Sequence, residues 1–155
     1  MGKVAEAGPL SAAGLRVAVV AARYNAELVD QLVDGARAAW QAAGGTPETL
    51  QVERVPGAFE LPLAAQALAR SGGCDAVVAL GCVIRGDTAH FDFVAGECAR
   101  GLQQVMLGTG IPIAFGVLTT ENVEQAQQRA APGALNKGAE ALQTALAMAR
   151  LLRTL

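Results

Sequence analysis

The chain has 155 residues, 52% of them hydrophobic, 17% charged and 4% aromatic, a size and balance that fit one globular domain. Twelve Lys and Arg against fourteen Asp and Glu leave a formal charge of −2 and a pI near 5.4, which excludes a general attraction to nucleic-acid backbones or anionic membranes. A mean hydropathy of +0.34 with so few charges leaves apolar surface for partner subunits, so a homo-oligomer is expected.

Residues 16–22 (RVAVVAA) form a Val-rich run that predicts a strand, followed by Asn25 as candidate N-cap and an apolar helical series, Leu28, Val29, Leu32, Val33, Ala36 and Trp40. Gly44-Gly45 stops that helix. The plan then repeats: residues 51–55 are extended, Pro56-Gly57 turns, and residues 61–69 are helical as far as Ser71-Gly72-Gly73. A buried strand over 76–82 leads into a glycine-broken stretch to about His90, then a helix from about Phe93 to Leu107. After Gly108 and Gly110, residues 111–118 (IPIAFGVL) predict the fourth strand. Two helices, 122–130 and roughly 136–152, close the chain on either side of the breaker Pro132-Gly133.

Four strands, each followed by a helix, predict a parallel sheet flanked by helices on both faces, a three-layer α/β sandwich of flavodoxin-like type. No linker or low-complexity tract interrupts residues 1–155, which read as a single domain. Cys74, Cys82 and Cys98 are odd in number and lack C-x-x-C spacing, so they form neither a disulfide framework nor a zinc site and point to a reducing cytoplasm. The longest apolar stretch, 76–84, is about half the ~18 residues a bilayer demands, and it ends at Arg85. Residues 1–14 carry no apolar core of signal-peptide length, and Glu6 stands where a myristoylation motif wants Ser or Thr. No membrane partner is expected.

Ligands of such sheets gather outside the carboxyl ends of the strands, which here are residues 23–25, 56–60, 81–90 and 119–120. Residues 81–88 (GCVIRGDT) come within one residue of the P-loop pattern, but Asp87 stands where its lysine belongs. A carboxylate there repels a triphosphate, which argues against nucleotide hydrolysis. Two readings remain: a single phosphate held by amides near Gly86 and by the Thr88 hydroxyl, or a plain strand-to-helix turn. His90, the only histidine, is either a proton shuttle or a structural residue. Glu60 either favours a helix macrodipole or accepts hydrogen bonds from a polyol beside the Gly57 and Ala58 amides. Tyr24 and Phe115 either stack on a flat ring or pack, and Arg129 and Lys137 flank the Pro132-Gly133 break, where surface charge is ordinary. Neither a Ser-His-Asp arrangement nor a metal-binding cluster can be assembled.

Taken together, ARYN at 22–25, PGAFELP at 56–62, GCVIRGDTAHFDFV at 81–94, FGVLTTENVEQA at 115–126 and NKGAEA at 136–141 resemble the 6,7-dimethyl-8-ribityllumazine synthase family, over about residues 16–150. The resemblance implies the penultimate step of riboflavin synthesis, a condensation of 5-amino-6-(D-ribitylamino)uracil with 3,4-dihydroxy-2-butanone 4-phosphate, without metal or organic cofactor. By position, Tyr24 is similar to the family's aromatic stacked on the pyrimidine, Ala58, Phe59 and Glu60 to its ribityl-holding segment, and Val83 and Ile84 to its ring-edge contacts. Gly86, Asp87 and Thr88 match the phosphate turn and His90 the proton-transfer residue. The family's sites lie between neighbouring subunits of pentamers, which implies that Phe115, Arg129 and Lys137 come from the adjacent chain, Arg129 gripping the phosphate. Decamers and hollow sixty-subunit shells also occur in the family, and residues 1–14 are expected to contact a neighbour. Two positions depart from many relatives: Tyr24, where they carry Phe or Trp, and Gly133, where they carry Lys. A flavin or lumazine carrier on the same fold is the competing reading, and a shell-forming scaffold a third that is compatible with catalysis.

Overall fold

Every side chain of β1 (Val17–Ala22) is buried, as an uninterrupted Val and Ala run must be when a parallel strand is covered on both faces. The computed structural model describes residues 10–155; the expected neighbour contact of residues 1–9 lies outside the described residues. From β1 the chain runs through α1 (Ala26–Ala42), β2 (Gln51–Val55), α2 (Leu61–Arg70), β3 (Ala76–Ile84), α3 (His90–Thr109), β4 (Ile113–Thr120), α4 (Val123–Ala130) and α5 (Lys137–Thr154). All pairings are parallel and the strand order is β2-β1-β3-β4.

Alternate side chains of the central strands feed two cores. Val17, Val19 and Ala21, with Val78, Leu80 and Leu118, pack on α1, α4 and α5. Ala18, Val20, Val77 and Val117 pack on α2 and α3. This is the three-layer sandwich that the strand–helix alternation predicts. Right-handed crossovers explain the division: stepping from β1 to β2 puts α1 on one face, whereas reversing past β1 to β3 and on to β4 puts α2 and α3 on the other. The order therefore reverses between β1 and β3, and a crevice opens beyond their carboxyl ends.

Close helix packing anchors this frame. A Cβ on Gly138 would overlap the Leu32 carbonyl, and one on Gly35 would overlap the Asn136 side chain, so α1 and α5 approach backbone to backbone only because both positions are glycine. The buried Asn136 caps α5 by accepting from the Ala139 amide (2.9 Å) and donates to the Ala130 and Gln31 carbonyls (2.7 and 3.1 Å). Several boundaries differ from the sequence expectation. β3 continues two residues past Cys82 and β4 runs from Ile113 to Thr120 rather than over 111–118, because Val83 and Ile84 pair with Thr119 and Thr120 while Pro112 has no amide to donate. α3 begins at His90, three residues earlier than expected. Short 3-10 turns at Pro47–Thr49 and Ala58–Glu60 were not anticipated. Among the described residues no helix is long and apolar enough to cross a membrane.

Candidate functional site

The segments that leave β1, β2 and β3 are stitched together by backbone hydrogen bonds. Arg23 N–H donates to the Val55 carbonyl (2.8 Å) and Tyr24 N–H to Pro56 (3.1 Å). On the other flank the Asn25 side-chain amide donates 2.9 Å to the Cys82 carbonyl. Asn25 holds the expected N-cap position of α1, its carbonyl accepting from the Val29 amide (3.1 Å), but with φ of 55° it makes no side-chain capping bond. Asn is one of the few residues that tolerates this left-handed backbone, and here its amide ties β1 to β3 where the strand order reverses.

The result is an open cleft of about 810 Å³, a volume typical of small-molecule sites. Of the sequence candidates, Tyr24, Ala58, Phe59, Glu60, Val83, Ile84, Gly86, Thr88 and His90 line it. Tyr24, Phe59 and Phe93 are 73%, 60% and 68% exposed, so aromatic surfaces stand free on it. Glu60 sits on the 3-10 turn whose amide bonds back to the Gly57 carbonyl (3.2 Å). Thr88 Oγ1 accepts from the His90 amide (3.3 Å), the first amide of α3, whose N-cap residue Ala89 adds no side-chain bond. The head of a 20-residue helix favours an anion through its dipole.

Asp87, Phe115, Arg129 and Lys137 do not line the cleft of this chain. Asp87 is exposed between Gly86 and Thr88. Phe115 lies mid-way along the edge strand β4, 48% exposed. Arg129 ends α4, donating to the Gln125 carbonyl (2.9 Å), and Lys137 opens α5 paired with Glu140 at 2.6 Å. No lysine or arginine among the described residues lines the cleft. Residues that sequence reasoning did not assign to the site are Asn25, Cys82, Phe91, Phe93, Val94 and Val123; the apolar side chains at the start of α3 were the signal available for Phe91, Phe93 and Val94. Burial pushes the Cys82 thiol up to about 11, so it stays protonated and is no nucleophile near neutral pH.

Beside the cleft, Arg85 reaches Asp92 of α3 (Nη2 to Oδ1, 3.1 Å) and Glu121 after β4 (Nε to Oε2, 2.9 Å), with its guanidinium 4.3 Å from the Phe91 ring centroid. Its hydrogen bond to Asp92, ahead of the charges of Asp92 and Glu121, raises its pKa beyond the ordinary guanidinium value. A smaller groove of about 280 Å³ between α2 and α3, including Pro62, Gln66, Arg70 and Gln104, lies away from the strand ends and holds no sequence candidate.

Comparison with known proteins gives one consistent result. The family model described as 6,7-dimethyl-8-ribityllumazine synthase matches residues 14–153. A protein of Halorhodospira halophila bearing that name is 54% identical over 140 residues, covering 90% of each chain. Its namesakes in Edwardsiella ictaluri and Thermus thermophilus are 54% identical over 149 residues (96% of each chain) and 52% over 146 (94% of this chain, 93% of the relative).

Proposed function

The chain belongs to the 6,7-dimethyl-8-ribityllumazine synthase family, and from that membership we propose that its cleft condenses 5-amino-6-(D-ribitylamino)uracil with 3,4-dihydroxy-2-butanone 4-phosphate. The enzyme is a transferase of riboflavin biosynthesis. One observation supports this assignment of the cleft above the rest: a free aromatic face, the Glu60 carboxylate, the start of α3 and the only histidine all border one cavity. They match, in order, a pyrimidine, a ribityl chain, a phosphate and a proton to be moved.

Tyr24 stacks on the pyrimidine, and Glu60, with Ala58 and Phe59, receives the ribityl hydroxyls. Val83 and Ile84 meet the ring edge, and the turn Gly86-Asp87-Thr88 holds the phosphate through its amides and the Thr88 hydroxyl. The 5-amino group attacks the ketone and water leaves, the imine eliminates phosphate, and the second amine closes the ring with loss of a second water. Each step trades protons between nitrogen, carbon and oxygen, which His90 serves as acid and base. Holding two reactants in register provides much of the acceleration.

A dianionic phosphate needs a cation, and among the described residues the cleft of one chain has none. We infer that a neighbouring copy supplies Arg129, Lys137 and Phe115, in a homo-oligomer built from pentamers in the cytoplasm, with residues 1–155 acting as one domain and the N-terminal segment contacting a neighbour. Exposed Leu63, Phe93, Leu107, Leu135 and Leu151 supply the apolar surface for such contacts, and three free, buried cysteines suit a reducing compartment. The short connection from Arg129 to Asn136 permits assembly beyond the pentamer, which electron microscopy would display.

Purified protein mixed with both substrates is expected to form lumazine, by absorbance and fluorescence, faster than the uncatalysed background. No protein-dependent product, with tight riboflavin binding instead, would replace catalysis by carriage.

A further inference from the structure

The Arg85 cluster is not explained by substrate contact. Arg85 does not line the cleft, yet it stands directly before Gly86 and spans the two elements flanking the 86–88 turn. Its guanidinium reaches Asp92 in the first turn of α3 and Glu121 beyond β4, and it lies over the ring of Phe91, which does line the cleft. Its own amide is fixed to the Thr120 carbonyl (2.8 Å). Three carboxylates, Asp87, Asp92 and Glu121, therefore surround a turn assigned to an anion, with one cation among them.

We propose that Arg85 is a positioning residue that holds Asp92 and Glu121 against itself and so keeps the 86–88 turn hospitable to the phosphorylated substrate. The inference rests on the reading of that turn as the phosphate site. Arg85 is committed to its two carboxylates and does not bind the phosphate; its contribution is to cancel charge that would otherwise repel it. Two uncovered carboxylates within a Debye length of a phosphate dianion at an exposed site weaken its binding by ~tenfold at low salt. The pyrimidine pocket at Tyr24 and Phe59 carries no such dependence, because its ligand is uncharged.

The test uses the assembled enzyme, inorganic phosphate titrated by calorimetry, and separate KM values for the two substrates. Arg85→Met is expected to raise both the phosphate Kd and the ketone KM by ~tenfold at low ionic strength, with the defect shrinking as salt screens the carboxylates, while the pyrimidine KM moves less than ~twofold. Arg85→Met combined with Asp92→Asn and Glu121→Gln is expected to recover most of the loss. A purely structural role requires the reverse, since the triple variant has lost every ion pair; a triple variant no better than the single one, or equal rises in both KM values, overturns the proposal. Asp92→Asn/Glu121→Gln with Arg85 retained keeps all side-chain bulk and is expected to bind phosphate more tightly than the parent; no gain overturns the proposal even if Arg85→Met does not fold. A parent protein that makes no lumazine but shows this phosphate pattern refutes the catalytic assignment alone.

Discussion

Asn25→Asp separates the two roles that the position could serve. As an N-cap, Asp is as good as Asn, and a carboxylate at the start of α1 would gain ~0.3–1 kcal/mol from the helix dipole. The observed side chain instead donates to the Cys82 carbonyl at 2.9 Å and caps nothing. A carboxylate cannot donate, so the substitution loses a hydrogen bond worth ~1 kcal/mol and leaves an acceptor facing an acceptor, which adds a further ~1 kcal/mol of unmet desolvation. Offset by the dipole, the net loss is ~1–2 kcal/mol, a fall in Tm of ~2–6 °C for a chain this long. Thermal denaturation of both proteins at one concentration measures it. The protonated acid can donate, so its neutral form is favoured in the fold: the deficit is small below the ordinary carboxyl range near pH 4 and grows as pH rises through it. Asn25→Gly keeps the positive φ and loses only the tie, whereas Asn25→Ala adds ~1 kcal/mol or more of left-handed strain. An Asn25→Asp protein as stable as its parent at pH 7 refutes the tie.

Four further expectations follow from the same geometry. Gly138→Ala pushes a Cβ into the Leu32 carbonyl and should cost more than ~3 kcal/mol, the scale of severe overpacking, so soluble protein with an unchanged melting temperature would refute the α1–α5 contact. His90→Ala should lower turnover by ~10²-fold or more, as loss of an acid–base group does, while scattering shows assembly intact; unchanged turnover removes His90 from proton transfer. Arg129→Ala should raise the ketone KM by ~tenfold or more, the scale of a lost charged hydrogen bond, and mixed assemblies with His90→Ala should recover activity only if the two residues come from different chains. Burial raises the Cys82 and Cys98 thiols to about 11 and about 12 from 9.0. Their stabilising contribution is complete below pH 9 and is lost as pH rises towards the folded values, at ~1.4 kcal/mol per unit for each thiol; a Cys98→Ala protein with an unchanged alkaline stability slope would sink that reasoning.

The alternation of strand and helix was legible because its cause is local: residues 17–22 and 76–84 are apolar runs that only a covered parallel strand can bury. Where β3 and β4 end is decided between elements, by Ile84 meeting Thr120, and residues 81–90 contain no trace of it. The cleft divides in the same way. Tyr24, Glu60, Thr88 and His90 could be picked out because each follows a strand and carries unusual chemistry for its place. Phe115, Arg129 and Lys137 stood out with ordinary readings open and could be assigned to the site only through resemblance, since nothing in their spacing relates them to a cavity that their own chain leaves without them.

Local and long-range features also predict different failures. The side chains proposed to face substrate sit on five short motifs, so a change there is visible in sequence. Two interactions that shape the cleft join positions 57 and 36 residues apart, Asn25 to Cys82 and Arg85 to Glu121. A chain with Glu121 alone reversed to a cation would carry every residue proposed to face substrate. It would also break the clamp on Arg85 and place two cations beside the phosphate turn, one of them free. Such a chain should hold its phosphorylated substrate and released phosphate more tightly, so that product inhibition by phosphate, rather than loss of chemistry, becomes its defect. On the proposed role of Arg85, discrimination between competent and impaired variants of this chain then rests on charge balance around residues 85–92 as much as on the residues proposed to touch substrate.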